Sequence, residues 1–316
     1  MHMEIFQTVT IALILGVTSF TLAKWLKFPA ILLYLLSGIL MGPMGLKVIR
    51  VESLGSGLFT LVEIGVAIIL FEEGLSLSTL TFRTEFTSIR RIVLVTIPLT
   101  GLGAATMAHF FLDISWDLAL FFGTLIVVTG PTVVNAILKI VNLTRRLEML
   151  LHWESIWGDV VGVLLSALAL ELLIPAGVES LGRLGFILLL RILGGTFIGL
   201  VSGYLLGRFL LPWAERLADP ALPGLLAVAG ALGTFYASNV TFEASGPLAA
   251  AVAGFFLSHL KAEGLHSIRR FKEQLSTLFI STLFILLSAS INPLEILPAW
   301  PMMLLIAFFM GTLVRP

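Results

Sequence analysis

The sequence predicts an all-α integral membrane protein of about eleven spanning helices, on three observations. Hydrophobic residues make up 58% of the 316 and charged residues only 12%, with a mean hydropathy of +1.06, so the chain cannot dissolve as a water-exposed globule. Several apolar stretches run for 18 or more residues, the length an α-helix needs to cross roughly 30 Å of hydrocarbon. The basic residues sort into alternate connections between those stretches. A β-barrel would show ten-residue segments of alternating polarity, whereas the apolar blocks here are continuous.

Taken in order, the first span, 5–24, runs out at Lys24 and Lys27, and the second, 29–45, opens at Pro29. Span three, 57–76, is followed by Arg83, Arg90 and Arg91, which precede span four, 91–112. Span five, 117–139, and span six, 150–172, flank Lys139, Arg145 and Arg146. Span seven, 187–211, and span eight, 220–239, flank Arg208 and Arg216. Span nine, 245–261, and span ten, 271–291, flank Lys261, Arg269, Arg270 and Lys272, and span eleven covers 297–316. With the N-terminus outside, fourteen of the 19 basic residues face the cytoplasm, so the positive-inside rule selects that orientation in a cell (inner) membrane. Met1 to Gln7 lacks a basic signal-peptide region, so the first apolar stretch is read as a span. The chain has no cysteine, which excludes disulfides and thiolate chemistry.

The sequence also echoes itself. Pro29 with Ser37-Gly38 returns as Pro247 with Ala253-Gly254, and the 70–76 run Leu-Phe-Glu-Glu-Gly-Leu-Ser returns as Leu283-Phe284 with Ser288 and Ser290. The offset of about 215 residues pairs spans one to four with spans eight to eleven in inverted orientation, as in many transporters. On this reading 1–316 is one transmembrane domain: repeat one over about 5–172, a linking helix over about 187–211, and a partial repeat two over about 220–316. Counterparts of spans five and six would follow Pro316, so the sequence reads as a truncated form of a longer protein. Chance similarity between two glycine-rich apolar stretches is the plain alternative.

Polar residues inside spans narrow the chemistry. Span five carries Gly130-Pro131 in its middle, and proline disfavours helix in the residue before it, so the span is expected to break near Thr129. Unwound backbone at membrane depth offers carbonyls and half-helix ends to an ion; a proline kink without a ligand role is the alternative. Span six places Glu154 and Asp159 in the membrane, where each costs about 2.5–3.5 kcal/mol or more at the bilayer centre and needs partners. Ser155 and Asp159 share a helix face, while Glu154 points elsewhere and reads as half of a structural pair with a basic residue. Hydroxyls at Thr129 or Ser155 and one carboxylate suit a hard cation such as sodium. Asp159 in a partly dry cavity can hold either a proton or the metal ion, the minimum an ion exchanger needs. Glu72 and Glu73 read as interfacial, Glu63 is undecided, Arg191 is either a bundle pair or a snorkelling side chain, and the histidines show no metal spacing.

Together these segments resemble the monovalent cation/proton antiporter superfamily, in its sodium/proton exchanger branch. The resemblance rests on Leu33-Tyr34-Leu35-Leu36-Ser37-Gly38-Ile39-Leu40-Met41-Gly42-Pro43, on the run at 71–77, on Thr129-Gly130-Pro131-Thr132, on Glu154-Ser155 with Gly158-Asp159, and on Val314-Arg315-Pro316. It implies a fold of thirteen helices in two inverted repeats, with two broken helices crossing beside the ion site, in a lipid-embedded homodimer. It further implies Asp159 as the ion- and proton-binding carboxylate, Thr129 and Ser155 as sodium ligands, Gly130 and Pro131 as the break, and Glu154 paired with Arg315 as a brace. A single carboxylate at this site implies one-for-one exchange. Sodium and protons are then cargo, and no cofactor or nucleic-acid partner is implied. Where the family usually has Asn or Asp before the key aspartate, this chain has Gly158.

Other readings stay open at this point. A potassium/proton antiporter or potassium efflux system shares the same signals, as does a non-transporting truncated form. A membrane-embedded enzyme is disfavoured, because there is no HExxH, no protease-like aspartate pair and no serine with an accompanying base.

Overall fold

The computed structural model describes residues 2–77, 84–128, 134, 143–173, 181–217, 219, 221–260 and 265–314. Its regular elements are all helical. They are α1 (His2–Leu26), α2 (Ala30–Met41), α3 (Gly57–Ser76), α4 (Phe86–Leu112, with a π turn at Ile92–Thr96), α5 (Trp116–Val127) and α6 (Arg145–Leu173). There follow α7 (Leu181–Leu205), which runs through a π turn at Leu206–Leu210 into a short helix, Leu211–Arg216, then α8 (Leu222–Thr241), α9 (Gly246–His259), α10 (Leu265–Ala289) and α11 (Trp300–Phe309).

Every expected span meets a helix, with systematic shifts at the ends. α4, α6, α7 and α10 begin at Phe86, Arg145, Leu181 and Leu265, five or six residues ahead of the apolar stretches that announce them. The hydrophobic stretch reports the hydrocarbon layer, but the helix continues into the polar interface, where its own hydrogen bonds remain the cheapest for the backbone. α2, by contrast, has only 12 residues: the helix stops at Met41, and Gly42 begins a turn. Among the described residues, five helices are both long and apolar enough to cross a membrane by length and composition alone. α3 is 20 residues long and carries three glutamates, Glu63, Glu72 and Glu73.

The described chain divides into two compact units, one of residues 1–69 with 266–298 and the other of residues 70–265 with 299–316. In the first, Ala12, Tyr34, Ile49, Val51, Leu54, Ile285, Leu286 and Ala289 form a common core. Hydroxyls tie its helices where the backbones come close: Ser19 and Ser37 hydrogen-bond at 3.0 Å between α1 and α2, and the Ser288 hydroxyl of α10 donates to the Tyr34 carbonyl of α2 at 3.5 Å.

The second unit is organised around α9. From Gly246 to Gly254 every residue of this helix is buried, and all but Pro247, Leu248 and Val252 are Gly or Ala. Small residues allow the close backbone approach that drives helix association in lipid, where apolar burial gives no net gain. The tightest crossing is with the end of α3. A Cβ on Gly74 would lie 2.1 Å from the Ala251 carbonyl oxygen, and one on Gly254 would lie 2.1 Å from that of Phe71. At the α8–α9 turn, buried Ser238 and Ser245 share a 2.6 Å hydrogen bond, and the Gly246 N–H donates to Asn239 Oδ1 at 2.7 Å. Arg191 of α7, 5% exposed, pairs with Glu171 of α6, which identifies it as a bundle pair rather than a snorkelling side chain. At the surface, Arg146 at the start of α6 makes a bidentate contact with Glu85 at 2.7 and 2.8 Å.

Two outcomes follow. Gly74→Leu or Gly254→Val should destabilise the purified protein by about 1–3 kcal/mol or more, as overpacking does, read as a lower melting temperature in detergent. Gly233→Ala, at a position where a Cβ meets nothing within 4 Å, should leave it unchanged or raise it. The hydrogen bond from Arg146 holds the Glu85 carboxyl below its ordinary value. The pair therefore contributes at every pH above the usual carboxylate range and is lost as pH falls through the lowered value. The small melting-temperature difference between wild type and Glu85→Gln should be constant from pH 8 to about 6 and vanish in strong acid.

Candidate functional site

The 29-residue α6 carries Glu154, Ser155 and Asp159 without interruption. Ser155 is 1% exposed, and its hydroxyl donates to the His152 carbonyl at 2.9 Å. With the proton committed to the backbone, the lone pairs of Ser155 Oγ are what this oxygen can offer outward. Asp159 follows one turn later on the same face, with its Oδ1 buried. Glu154, about 100° around the helix, is partly exposed. Gly158 is buried and contributes no side chain.

Two other elements converge on this stretch. α5 stops at Val127, and Val128 is already extended, with φ −65° and ψ 114°, at the residue before Thr129. The end of that helix packs on α6 one turn beyond Asp159, since a Cβ on Gly162 would lie 2.6 Å from Val128 Cγ2. Asp159 thus lies one turn before the place where the end of α5 meets α6. Thr129, Gly130, Pro131 and Arg315 lie outside the described residues, and with them the expected break and the Glu154–Arg315 pair.

Glu73 of α3 is the residue that the sequence reading missed. It was expected at the interface, yet it is 9% exposed, and its Oε2 is buried with no hydrogen-bond partner among the described residues. Its charge interacts with those of Asp159 and Glu72. The burial has a local cause: the backbone crossing at Gly74 brings this turn of α3 against α9, and Leu70, Phe71, Gly74 and Leu75 around Glu73 are all buried. A glutamate next to a glycine within a run of buried apolar residues was the available signal, masked by its position near the helix end.

Beside these groups lies an apolar layer. Leu77, Ile89, Trp153 and Ile156 form a buried cluster joined by Phe255, whose ring meets Trp153 edge-on at 5.6 Å. Trp153 and Ile156 flank Ser155 along the chain, so one side of this turn is dry. Two carboxylates and a hydroxyl held in such surroundings form a hard-oxygen donor set, suited to small cations and protons.

Comparison with known proteins finds one matching family model, curated relatives and solved structures of the same fold. The family model described as "Sodium/hydrogen exchanger, transmembrane" matches residues 9–316. The K(+)/H(+) antiporter NhaP2 of Shewanella sp. (strain ANA-3) is 27% identical over 292 residues, covering 92% of this chain and 50% of that protein. The Na(+)/H(+) antiporter NhaH of Halobacillus dabanensis is 23% identical over 311 residues, 94% of this chain and 76% of its own. The chain thus spans about half the length of the Shewanella relative. The solved structure of the sodium proton antiporter MjNhaP1 from Methanocaldococcus jannaschii at pH 8 shares the fold, with a TM-score of 0.84 at 22% identity over 100% of this chain and 77% of that one.

The two buried charge clusters should respond oppositely to neutralisation. Arg191→Met leaves Glu171 uncompensated and should lower the melting temperature; the full cost of breaking a buried pair is about 3–5 kcal/mol, less here because Glu171 is 32% exposed. Glu73→Gln removes one of two neighbouring carboxylates and should not lower it, as measured in the same detergent at neutral pH.

Proposed function

Because the chain belongs to the sodium/hydrogen exchanger family, we propose that it exchanges a monovalent alkali cation for protons across a membrane, with Asp159 as the group both compete for. The observation that carries this reading is that Asp159, with its Oδ1 buried, lies on one helix face with buried Ser155 and close to buried Glu73, within one compact unit. A carboxylate at membrane depth is costly when charged, so it is stable either protonated or neutralised by a cation, and each occupant displaces the other. Ser155 supplies a neutral oxygen, and Glu73 a second negative one that favours cation entry. Thr129 is assigned as a further oxygen ligand, and the break at Gly130-Pro131 as the source of free carbonyls. Glu154 and Arg315 are assigned as the structural ion pair that braces the core.

Sodium is the proposed cargo. Potassium is the second reading, supported by the potassium/proton antiporter NhaP2, which is 27% identical. With Gly158 next to Asp159, no second carboxylate or amide sits at that position, a departure from the family's usual pattern. Transport proceeds by alternating access in a homodimer, in a cell (inner) membrane with the N-terminus outside. Asp159, Ser155 and Glu73 lie in one compact unit.

Proton flux in vesicles reconstituted with the complete protein, driven by sodium or potassium gradients, tests this. Asp159→Asn should abolish exchange, a loss of at least tenfold, while membrane insertion and detergent stability are retained. Retained exchange in that variant would remove Asp159 from the mechanism, and a flux driven by potassium but not sodium would favour the second reading.

A further inference from the structure

The end of α3 and the site-bearing turn of α6 are joined by a polar link that the exchange reading above does not use. Ser76 Oγ and His152 Nε2 lie 3.0 Å apart. The Ser76 hydroxyl also lies 2.6 Å from the Glu73 carbonyl oxygen, to which it donates. A serine has one hydroxyl proton, so Ser76 Oγ receives the His152 contact as an acceptor, and His152 carries a proton on Nε2. On the other side, the His152 carbonyl is the acceptor for the Ser155 hydroxyl at 2.9 Å. One residue therefore ends two short chains of bonds, one through Ser76 to the backbone of Glu73 and one directly to Ser155.

We infer that His152 is a positioning residue, holding the Glu73 turn of α3 and the Ser155–Asp159 face of α6 at a fixed spacing that sets the cation affinity of the site. Three observations support the assignment. The link is side chain to side chain between two helices, at residues three from Glu73 and three from Ser155, so it ties the Glu73 turn of α3 to the turn of α6 that carries Ser155. The neighbouring residues Leu77 and Trp153 pack in the same buried cluster, so apolar packing brings the helices together while the hydrogen bond fixes their register. Like-charged oxygens in a dry place are sensitive to spacing, because their repulsion is weakly screened there.

This inference rests on the exchange reading for its transport readout, and the experiment keeps the two apart. The complete protein is reconstituted in vesicles as wild type, His152→Ala, His152→Gln, Ser76→Ala and the Ser76→Ala/His152→Ala double variant. Exchange is measured against sodium and potassium concentration, and in detergent the cation-dependent rise in melting temperature is followed. His152→Ala should raise the half-saturating cation concentration about 3- to 10-fold, the size of one net hydrogen bond, with the maximal rate retained. His152→Gln, whose amide N–H reaches the place of Nε2–H, should restore it, and the double variant should be no worse than either single one. An unchanged half-saturation in His152→Ala, failure of the glutamine variant to rescue, or additive single effects would overturn the assignment. A wild type that binds cation without exchange would overturn the exchange reading and leave the positioning role to be judged by the melting shift. A wild type with neither would overturn both.

Discussion

The arrangement of this protein depends on the cost of placing carboxylates where water is scarce. Glu73 and Asp159 lie near enough to repel each other, and Glu73 is nine-tenths buried. Such a pair is tolerated only where the fold supplies charge, protons or ions, and it is held only if the helices carrying it cannot relax apart. Here the helices are fixed by backbone contact. The Gly74–Gly254 crossing leaves no room for α3 to roll away from α9, and Gly162 seats the end of α5 against α6. Stability elsewhere in the second unit is spent on keeping an unfavourable charge arrangement in place.

The two units solve the same packing problem with different materials. In the first, an apolar core of Ile, Leu, Val and Tyr is supplemented by serine hydroxyls that bridge neighbouring helices. In the second, a helix made largely of Ala and Gly lets its neighbours approach closely, and the α8–α9 turn closes its polar groups with Ser238, Asn239 and Ser245. The α9 interfaces of the second unit avoid bulk, since lipid offers large side chains much the same environment as a protein interior does. Beside the candidate site the rings of Trp153 and Phe255 pack edge-on.

Much of this was legible in the chain. The helix order followed from apolar length, because a bilayer forbids most alternatives, and Ser155 and Asp159 were singled out because charge and hydroxyl at membrane depth stand out against leucine. Helix starts were misjudged by five or six residues, since the hydrophobic signal ends at the hydrocarbon boundary while the backbone continues through Arg145 or Arg269-Arg270. Glu73 was assigned to the interface because linear position near a helix end carries no information on what crosses that end; the crossing partner, Ala251, lies 178 residues away. The Ser76–His152 link was invisible for the same reason. Such contacts between distant segments are set by small residues whose meaning appears only in three dimensions.

The shortness of α2 has a consequence for the surrounding lipid. At 1.5 Å per residue its 12 residues extend about 18 Å, well short of a hydrocarbon layer of roughly 30 Å. Leu32, Leu36 and Leu40 form an exposed stripe along one face of this helix. Acyl chains that wet this stripe must shorten or splay to match it, so the annulus is locally compressed, and the elastic cost rises with acyl length. A bilayer that faced this stripe would meet a short span, and a thinner one would match it at lower cost.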